Sequence, residues 1–274
     1  MSITPITETG PLAAFCKRQQ SAQFLTVDTE FMREKTYYPI LCLIQIGGPS
    51  EAVIVDPTAA KIDLEPLYEL MINQSILKVF HAARQDMEIF YYKMGKLPFP
   101  IFDTQLAAMV SGFGDQIGYE PLVAKITGAR MNKQSRISDW SHRPLTSEQL
   151  NYALGDVTHL RSIYKYLDKR LIESGRSHWL DDEMAILTSK KTYAIEPNQA
   201  WKRIKSRNNT PRFLALLQAV AGWRESEAQR RNTPRNRICR DDTLLDLANR
   251  APSNIESLRR TRGLPPNLSK GENA

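Results

Sequence analysis

The sequence has no long hydrophobic run and few cysteines, and both absences narrow the class of protein. Its longest uncharged stretch, TYYPILCLIQIGGPS, is interrupted by a glutamine and two glycines and is too short to cross a bilayer. The opening residues MSITPITETG have neither a basic start nor an apolar centre, so no secretory signal is expected. Cys16, Cys42 and Cys239 are far apart and lack metal-ligand spacing. These features predict a cytoplasmic protein with reduced thiols.

Positive charge is concentrated at one end of the chain. The 274 residues carry a formal net charge of +7, yet residues 1–200 hold 21 Lys and Arg against 23 Asp and Glu. From residue 201 onward the count is 16 against 7. A basic block of this kind indicates a polyanionic partner such as a nucleic acid, whereas the plainer alternative is a solvated tail.

The first two-thirds of the chain combine strand and helix patterns. The runs FLTVDTEF, ILCLIQIG and AVIVD follow one another between turn-forming residues and predict three successive antiparallel strands. ILKVFHA predicts a further strand, while helical patterns occur in IDLEPLYELMIN, RQDMEIFYYKMG, IFDTQLAAMVSG and SEQLNYALGDVTHLRSIYKYLDKRLIESG. Gly95 is the expected C-cap of the second of these helices. We therefore expect an α/β domain in which helices cover a mixed sheet.

The character of the sequence changes near residue 188. The polar stretch SKKTYAIEPNQ is followed by PRFLALLQAVAGWRESEAQRRN, DDTLLDLANRAP and NIESLRRTRG, which have helical patterns and almost no strand signal. They predict a second unit that is all-helical. We expect a first domain over residues 1–190, a linker over 191–204 and a helical domain over 205–274.

Two acids, Asp28 and Glu30, lie inside the predicted strand FLTVDTEF. Residues i and i+2 of a strand point to the same face, so the two carboxylates are expected to lie side by side. Their repulsion would keep one of them protonated unless a cation is bound, and oxygen ligands favour Mg²⁺ or Mn²⁺ over zinc. Taken alone, the pair also fits a structural or surface role.

Three more residues strengthen the case for a polar site. Asp86 is expected at the start of a helix, just beyond the carboxyl end of a strand. Tyr152 and Asp156 are four residues apart in a predicted helix and therefore share a face. An acid is out of place among the apolar residues beside Asp156. Alone, Tyr152 fits an aromatic side chain that packs on its own helical turn.

Together these segments resemble a nuclease family. VDTEF with Asp28 and Glu30, HAARQDME with Asp86, and YALGD with Tyr152 and Asp156 are similar, in order, to the three exonuclease motifs of the DEDD superfamily. The Tyr-x-x-x-Asp form of the third motif marks the tyrosine subclass. The flanking REKTYYPILCLIQIG and SRISDWSHRPLTSEQLNYALGDVTHL resemble the ribonuclease D family.

The resemblance, which covers residues 20–175, implies a ribonuclease H-like fold and 3′–5′ exonuclease activity with two divalent cations, Mg²⁺ or Mn²⁺. It makes four acids the metal ligands: Asp28, Glu30, Asp86 and Asp156. Two such cations would balance the charge of four carboxylates, with Asp28 bridging both. Tyr152, with a usual pKa of ~10, is a poor base at neutral pH. It is expected to orient the attacking water or to hydrogen-bond the scissile phosphate.

Residues near the motifs are candidates for holding the substrate: Tyr37, Tyr38, His81, Lys133 and Arg136. The two tyrosines follow REKT and would either stack on a terminal base or pack beneath the turn. The two basic residues lie in a polar loop, where they would either contact phosphates or be solvated. The histidine ends a strand close to the second motif, and a structural role is the favoured interpretation.

The basic segment from Trp201 to Gly263 resembles an HRDC domain, a small helical module that contacts nucleic acids. The matching residues include Trp201, Trp223, Arg224, Ala228, Pro234, Arg235, Asp241 and Gly263. The local excess of positive charge agrees with that role. The sequence stops at PPNLSKGENA, before the helix that closes such a bundle, so the helical domain is expected to be truncated, as a fragment or a short form.

Three functions are open from the sequence. The leading prediction is a monomeric, cytoplasmic exoribonuclease that releases 5′-mononucleotides from RNA 3′ ends, with tRNA precursors as its partners and no membrane partner. A DNA 3′–5′ exonuclease would use the same motifs, and a catalytically inert nucleic-acid-binding module is the third candidate. Intact acids at all four motif positions disfavour the inert module, which would be expected to have lost at least one.

Overall fold

The computed structural model describes residues 3–131 and 138–264 and divides the chain into two compact units. The first unit comprises Met1–Met32 and Ile40–Tyr193, and the second comprises Arg33–Pro39 and Ala194–Ala274. The segment between the first two strands therefore belongs to the second unit, a feature that no pattern in the sequence indicates.

The first unit contains a five-stranded mixed sheet. Its strands are β1 (Phe24–Met32), β2 (Ile40–Gly47), β3 (Ala52–Val55), β4 (Leu77–Phe80) and β5 (Ile101–Asp103). Their order across the sheet is β3-β2-β1-β4-β5. The first three strands pair antiparallel, whereas β4 pairs parallel with both β1 and β5. The predicted mixed sheet and its three successive antiparallel strands are confirmed.

Helices cover this sheet. They are α1 (Thr9–Gln19), α2 (Glu65–Ile72), α3 (Arg84–Met94), α4 (Thr104–Val110), α5 (Tyr119–Thr127), α6 (Ser147–Glu173), α7 (Asp181–Leu187) and α8 (Lys190–Tyr193). A capping box between Thr146 and Gln149 begins α6, since each side chain bonds the other's backbone N–H. Gly95 ends α3 with a left-handed φ of 66°, which confirms the predicted C-cap.

The segment IFDTQLAAMVSG is not helical throughout, contrary to its sequence pattern. Its first three residues form β5, because Ile101, Phe102 and Asp103 pair with the backbone of β4. The Asp103 side chain then accepts a hydrogen bond from the Gln105 N–H at 2.8 Å and caps the start of α4. Pairing with a neighbouring strand is a tertiary effect, and it overrides the local helical preference.

Close contact with the sheet fixes the position of α6. Thr26 on β1 donates from Oγ1 to the Val157 carbonyl oxygen of α6 at 2.8 Å. On β2, a Cβ atom at Gly47 would lie 2.3 Å from Thr26 Oγ1 and 3.2 Å from that same carbonyl oxygen. A glycine is therefore required where α6 crosses the strand pair, and the crossing carries the acid of the third motif over β1.

The second unit is helical in its described part. It contains a 3₁₀ helix (Pro197–Arg203) and the helices α9 (Pro211–Arg230), α10 (Arg235–Ile238), α11 (Asp241–Arg250) and α12 (Ile255–Arg259). Its apolar core includes Ala200, Phe213, Leu217, Ala221 and Leu244. Arg224 of α9 is buried and pairs with Asp241 of α11 at 2.6 Å, so a charged group ties the two helices together.

The composition predicts reduced cysteines and no membrane-spanning segment. The three cysteines are buried and free, in agreement with the expected reduced state. Within the ranges that the structure covers, no helix combines the length and the apolar character needed to cross a membrane.

Candidate active site

Three of the predicted acids meet where β1 passes under α6. One carboxylate oxygen from each of Asp28, Glu30 and Asp156 lies within 4.8 Å of the other two. Asp28 and Glu30 reach this place because alternate residues of β1 face α6, as the i, i+2 spacing predicts. Asp156 reaches it because the Thr26 bond and the close approach at Gly47 hold α6 against the strand.

Tyr119 adds a second anchor for this part of α6, and the sequence offers no signal for it. From α5, its hydroxyl donates to the backbone carbonyl of Asp156 at 2.5 Å. Its ring also packs against His81, with ring centroids 5.3 Å apart. The backbone that carries the third-motif acid is thus held by both the sheet and a neighbouring helix.

Asp86 lies beside the three clustered acids and not among them. It is buried in the first turn of α3, and one carboxylate oxygen accepts a hydrogen bond from Thr29 Oγ1. Its charge helps to raise the pKa of Glu30, which places it in the same electrostatic environment. The structure therefore brings three of the four predicted ligands together and holds the fourth next to them.

Asp103 fixes the turn that leads to Asp86, and sequence reasoning missed it. Ala82 adopts a left-handed φ of 57°, which is strained for a residue with a Cβ atom. The Asp103 carboxylate accepts hydrogen bonds from the N–H groups of Ala82 at 3.0 Å and Ala83 at 2.8 Å. These bonds hold the strained turn and so set where α3 begins.

Burial and mutual repulsion shift the acids toward their protonated forms. Burial raises the pKa of Asp28 to about 7, and burial with the charges of Asp28 and Asp86 raises that of Glu30 to about 9. Burial and the Asp28 charge raise the pKa of Asp86 and of Asp156 well above the usual range. Glu120 of α5, which sequence reasoning missed, also contributes to the raised pKa of Asp156.

The same residues fit a divalent cation. All the donors are carboxylate oxygens, which suit Mg²⁺ and Mn²⁺. Asp156 Oδ1 is buried with no hydrogen-bond partner among the residues that the structure describes. A buried carboxylate oxygen next to two further carboxylates needs a positive charge to compensate it. A divalent cation would supply that charge, so the site is suited to metal binding.

Tyr152 lies one helical turn before Asp156 on α6. Burial, followed by the charges of Asp156, Glu30 and Asp28, raises its pKa above the usual value for a phenol. The hydroxyl is therefore protonated at neutral pH and can serve as a hydrogen-bond donor. Its ring packs near the buried Trp140, with centroids 6.2 Å apart, which limits the positions that the hydroxyl can reach.

Arg143 secures the segment that carries Trp140. Its guanidinium forms a bidentate pair with Asp56 at 2.6 and 2.9 Å and donates to the carbonyl oxygens of Trp140 and Cys42, each at 2.7 Å. Burial alone would raise the pKa of Asp56, but the bonds from Arg143 and Thr58 outweigh it and lower that pKa. The pairing joins residues 87 positions apart, so the sequence gives no sign of it.

His81 occupies a structural position. Its Nδ1 lies 3.0 Å from Thr104 Oγ1, and its ring packs against Tyr119. Burial lowers its pKa to about 4, so the ring is neutral at neutral pH. These contacts agree with the structural interpretation that the sequence favours.

Of the other substrate candidates, the structure describes the two tyrosines. Tyr37 has 5% of its surface exposed and belongs to the second unit, where its hydroxyl donates to Glu225. The backbone N–H groups of Tyr37 and Tyr38 both bond Asn232 Oδ1, at 3.1 and 2.9 Å. For Tyr37 the structure agrees with the second of the two alternatives, packing, because its ring is buried. Lys133 and Arg136 lie outside the described residues.

Metal binding is expected to stabilise the folded chain more at about pH 8.5 than at about pH 6. Because the pKa values of Asp28 and Glu30 are raised to about 7 and about 9, the folded chain keeps protons that the unfolded chain loses. Stability without metal therefore falls as the pH rises from ~4 toward ~9. A divalent cation replaces those protons and reverses the loss.

Thermal unfolding in EDTA and in excess Mg²⁺ measures this effect. One fixed Mg²⁺ concentration, about 100 times the Kd at pH 8.5, would add about 2.7 kcal/mol to the free energy of unfolding at that pH and less at pH 6, where binding is weaker. An increase in melting temperature that is equal at both pH values would contradict the raised pKa values.

Comparisons with known proteins agree with this geometry. A sequence model described as 3′–5′ exonuclease matches residues 3–172, and one described as HRDC domain matches residues 213–269. The chain is 51% identical to ribonuclease D of Nitrobacter hamburgensis over 267 residues, which cover 97% of this chain and 70% of that protein. A crystal structure of Escherichia coli RNase D, described as an exoribonuclease involved in structured RNA processing, has a TM-score of 0.91 at 31% identity and covers 99% of this chain and 72% of that one.

A more distant structure shows the fold alone. Brucella melitensis NrnC with bound Mg²⁺ has a TM-score of 0.58 at 23% identity, and the match covers 70% of this chain and 93% of that one.

The fold and the acidic site define a 3′–5′ exonuclease that is followed by an HRDC domain. Identity of about one half over nearly the whole chain narrows the class further. The chain belongs to the ribonuclease D family, and it is a 3′–5′ exoribonuclease.

Proposed function

We propose that the chain shortens RNA from its 3′ end with two divalent cations held by four acids: Asp28, Glu30, Asp86 and Asp156. The observation that carries this proposal is the convergence of three carboxylates within 4.8 Å, with Asp86 beside them. Four ionised carboxylates would carry a charge of −4, which two divalent cations balance. The charge of Asp28 contributes to the raised pKa of each of the other three acids, so it is the residue expected to matter most for holding the ions.

Residues of β1, α3 and α6 would hold the cations, and each element has a separate role. When bound, the cations would neutralise the scissile phosphate and lower the pKa of the attacking water. β1 presents Asp28 and Glu30 from positions whose backbone is paired with β2. Thr29 holds the Asp86 carboxylate in place, and α6 supplies Asp156 together with Tyr152.

Tyr152 would donate its hydroxyl hydrogen to a phosphate oxygen or to the attacking water. The raised pKa favours this role, because a phenol that stays protonated cannot accept the proton of the water. The ring is held by packing against Trp140, which limits the orientations of the hydroxyl.

A Tyr152→Phe variant is expected to lose about 100-fold in kcat, because one hydrogen bond to the reacting groups is removed. The phenol is not an expected metal ligand, so metal affinity should stay unchanged. Tyr166→Phe is a matched control, since it removes a hydroxyl from an exposed tyrosine near the other end of the same helix. Quench-flow kinetics with a labelled RNA gives kcat, and calorimetric titration gives metal affinity. A Tyr152→Phe variant with the wild-type rate would rule out this role.

For the natural substrate we propose structured RNA with a 3′ extension, in particular tRNA precursors, acted on by a monomer. The basic second unit supports an RNA partner, with 16 Lys and Arg against 7 Asp and Glu from residue 201 onward. The Escherichia coli relative is described as acting in structured RNA processing, which supports the same substrate class. Nothing in the four acids distinguishes a ribose from a deoxyribose.

The test compares three substrates under the same Mg²⁺ concentration: a tRNA with a 3′ trailer, an unstructured RNA of equal length and the matching DNA. The proposal predicts that trimming of the tRNA precursor stops near the folded acceptor stem and that DNA is degraded far more slowly. Equal rates on RNA and DNA would favour the DNA exonuclease alternative. Binding without cleavage of any of the three would favour the inert module. Light scattering gives the oligomeric state.

A further inference from the structure

Gln45 of β2 is a buried amide without an evident structural purpose. Its side chain has 0% of its surface exposed. Neither Oε1 nor Nε2 has a hydrogen-bond partner in the described protein. A buried polar group left in this state destabilises the fold, so an apolar residue would make a more stable strand at this position. The presence of an amide therefore calls for a reason other than stability.

The register of the sheet places Gln45 next to the acidic site. In the antiparallel pair of β1 and β2, Gln45 lies directly opposite Asp28. Side chains of directly opposed residues project from the same face with Cβ atoms ~4.5–5.5 Å apart. That face is the one covered by α6, because the neighbouring pair Thr26 and Gly47 contacts the Val157 carbonyl. The amide thus lies under α6 on the side of the sheet that carries the carboxylates.

The polar groups that share this face narrow the possible partners of the amide. Arg161 of α6 is at the Gly47 end, where its Nη2 donates to the Glu51 carbonyl oxygen and its Nε has no partner among the described residues. Because Nε is a donor, it can meet the amide oxygen of Gln45 but not Nε2. On the opposite strand Leu43 pairs with Glu30, so Gln45 and not its neighbour two residues away lies beside Asp28. The Asp28 carboxylate is therefore the acceptor that the register places directly across the strand pair from Gln45, although no hydrogen bond joins the two side chains in this structure.

We propose that Gln45 is a positioning residue for the metal centre: its amide N–H group donates to the Asp28 carboxylate when a cation is bound, and so orients that carboxylate. The inference rests on the proposed metal site. A carboxylate that coordinates a cation keeps lone pairs for such a donor, and donors of this kind orient metal ligands.

An amide is the side chain that this position requires. It supplies a donor without adding charge, so the balance between four carboxylates and two divalent cations is preserved. A glutamate here would add a fifth negative charge, and a lysine would compete with the cations. Leucine or methionine would pack in the same space but would leave the ionised Asp28 without this donor.

The test measures metal binding separately from catalysis, in the full chain. Gln45→Met keeps the length of the side chain and removes both polar atoms. We expect Mn²⁺ affinity, measured by calorimetric titration, to fall about 10–100-fold, while the metal-free protein melts at the same temperature or higher. Gln45→Asn keeps the amide but shortens its reach by one methylene, and we expect a weaker affinity there as well.

Gln19→Met is the matched control. Gln19 is also a buried glutamine, but its Nε2 bonds Glu51 Oε1 at 2.6 Å, so its amide has a structural partner. We expect this variant to lower the melting temperature and to leave Mn²⁺ affinity unchanged. Gln45→Met should therefore weaken Mn²⁺ binding without a loss of stability, whereas Gln19→Met should lose stability without a change in Mn²⁺ binding.

The outcomes separate this inference from the proposed function. Wild-type Mn²⁺ affinity in both Gln45 variants would overturn the positioning role while leaving the metal site intact. Failure of the wild-type chain to bind Mn²⁺ would overturn the proposed metal site itself. If Gln45→Met did not fold, Gln45→Asn with wild-type affinity would still contradict the inference.

Discussion

An Asp28→Asn variant is expected to release nucleotides at least about 1000-fold more slowly than the wild type, a loss of about 4 kcal/mol of transition-state stabilisation. The amide keeps the shape of the side chain but supplies no negative charge for a cation. Asp28 is also the residue whose charge raises the pKa of Glu30, Asp86 and Asp156. Its loss therefore weakens metal binding and removes like-charge repulsion from the same cluster.

The loss of like-charge repulsion distinguishes this variant from a misfolded protein, because it affects the melting temperature in the opposite direction. Without metal at about pH 8, Asp28→Asn should melt at the same temperature as the wild type or higher, because the remaining acids repel one another less. Asp115→Asn, at an exposed acid in a loop, controls for the loss of one charge. A lower melting temperature together with lost activity would mean that Asp28 is structural.

Removal of Arg143 is expected to cause the largest loss of stability among the contacts around the site, about 3 kcal/mol for Arg143→Ala. The substitution leaves Asp56, whose side chain is 9% exposed, with an uncompensated charge. It also removes the donor for the Trp140 and Cys42 carbonyl oxygens. Urea unfolding followed by circular dichroism gives the change in the free energy of unfolding.

A matched control for Arg143 exists on the surface. Arg18 forms a bidentate pair with Glu51 in which both bonds are 2.9 Å, but its side chain is 55% exposed. Arg18→Ala should therefore cost less than about 1 kcal/mol. Equal losses for the two variants would show that the burial of Asp56 does not matter.

The Arg143 effect should also depend on pH with a defined sign. Because the pKa of Asp56 is lowered in the folded protein, its contribution to stability is present above the usual value of 3.8 and is lost as the pH falls below it. The difference between wild type and Arg143→Ala should thus be largest at neutral pH and shrink toward pH ~3. A constant difference would exclude the ion pair as its source.

Local periodicity was enough to predict part of the site. Asp28 and Glu30 share a face because a strand repeats every two residues, and Tyr152 and Asp156 share a face because α6 is a helix. Neither pattern shows that β1 and α6 lie next to each other in the fold. The resemblance of the three ordered motifs to the nuclease family implied that these elements are adjacent. The close approach of α6 to the sheet at Gly47 explains how they come together.

Contacts between distant parts of the chain could not be predicted in this way. The Asp103 carboxylate bonds the backbone of Ala82 and Ala83, 21 and 20 positions away. Tyr37 bonds Glu225 across 188 positions, which explains why its loop joins the second unit. Such pairings depend on the folded topology, whereas sequence patterns record only the neighbours along one element.

The most direct test of the account is the Mg²⁺-dependent release of 5′-mononucleotides from an RNA with a free 3′-hydroxyl, next to the same RNA blocked by a 3′-phosphate. Wild-type protein should release mononucleotides stepwise from the free end, only with Mg²⁺ and not from the blocked RNA, and Asp28→Asn should release almost none. Wild-type rates from Asp28→Asn, or internal cleavage of the blocked RNA, would contradict a metal-dependent 3′–5′ exonuclease built on these acids.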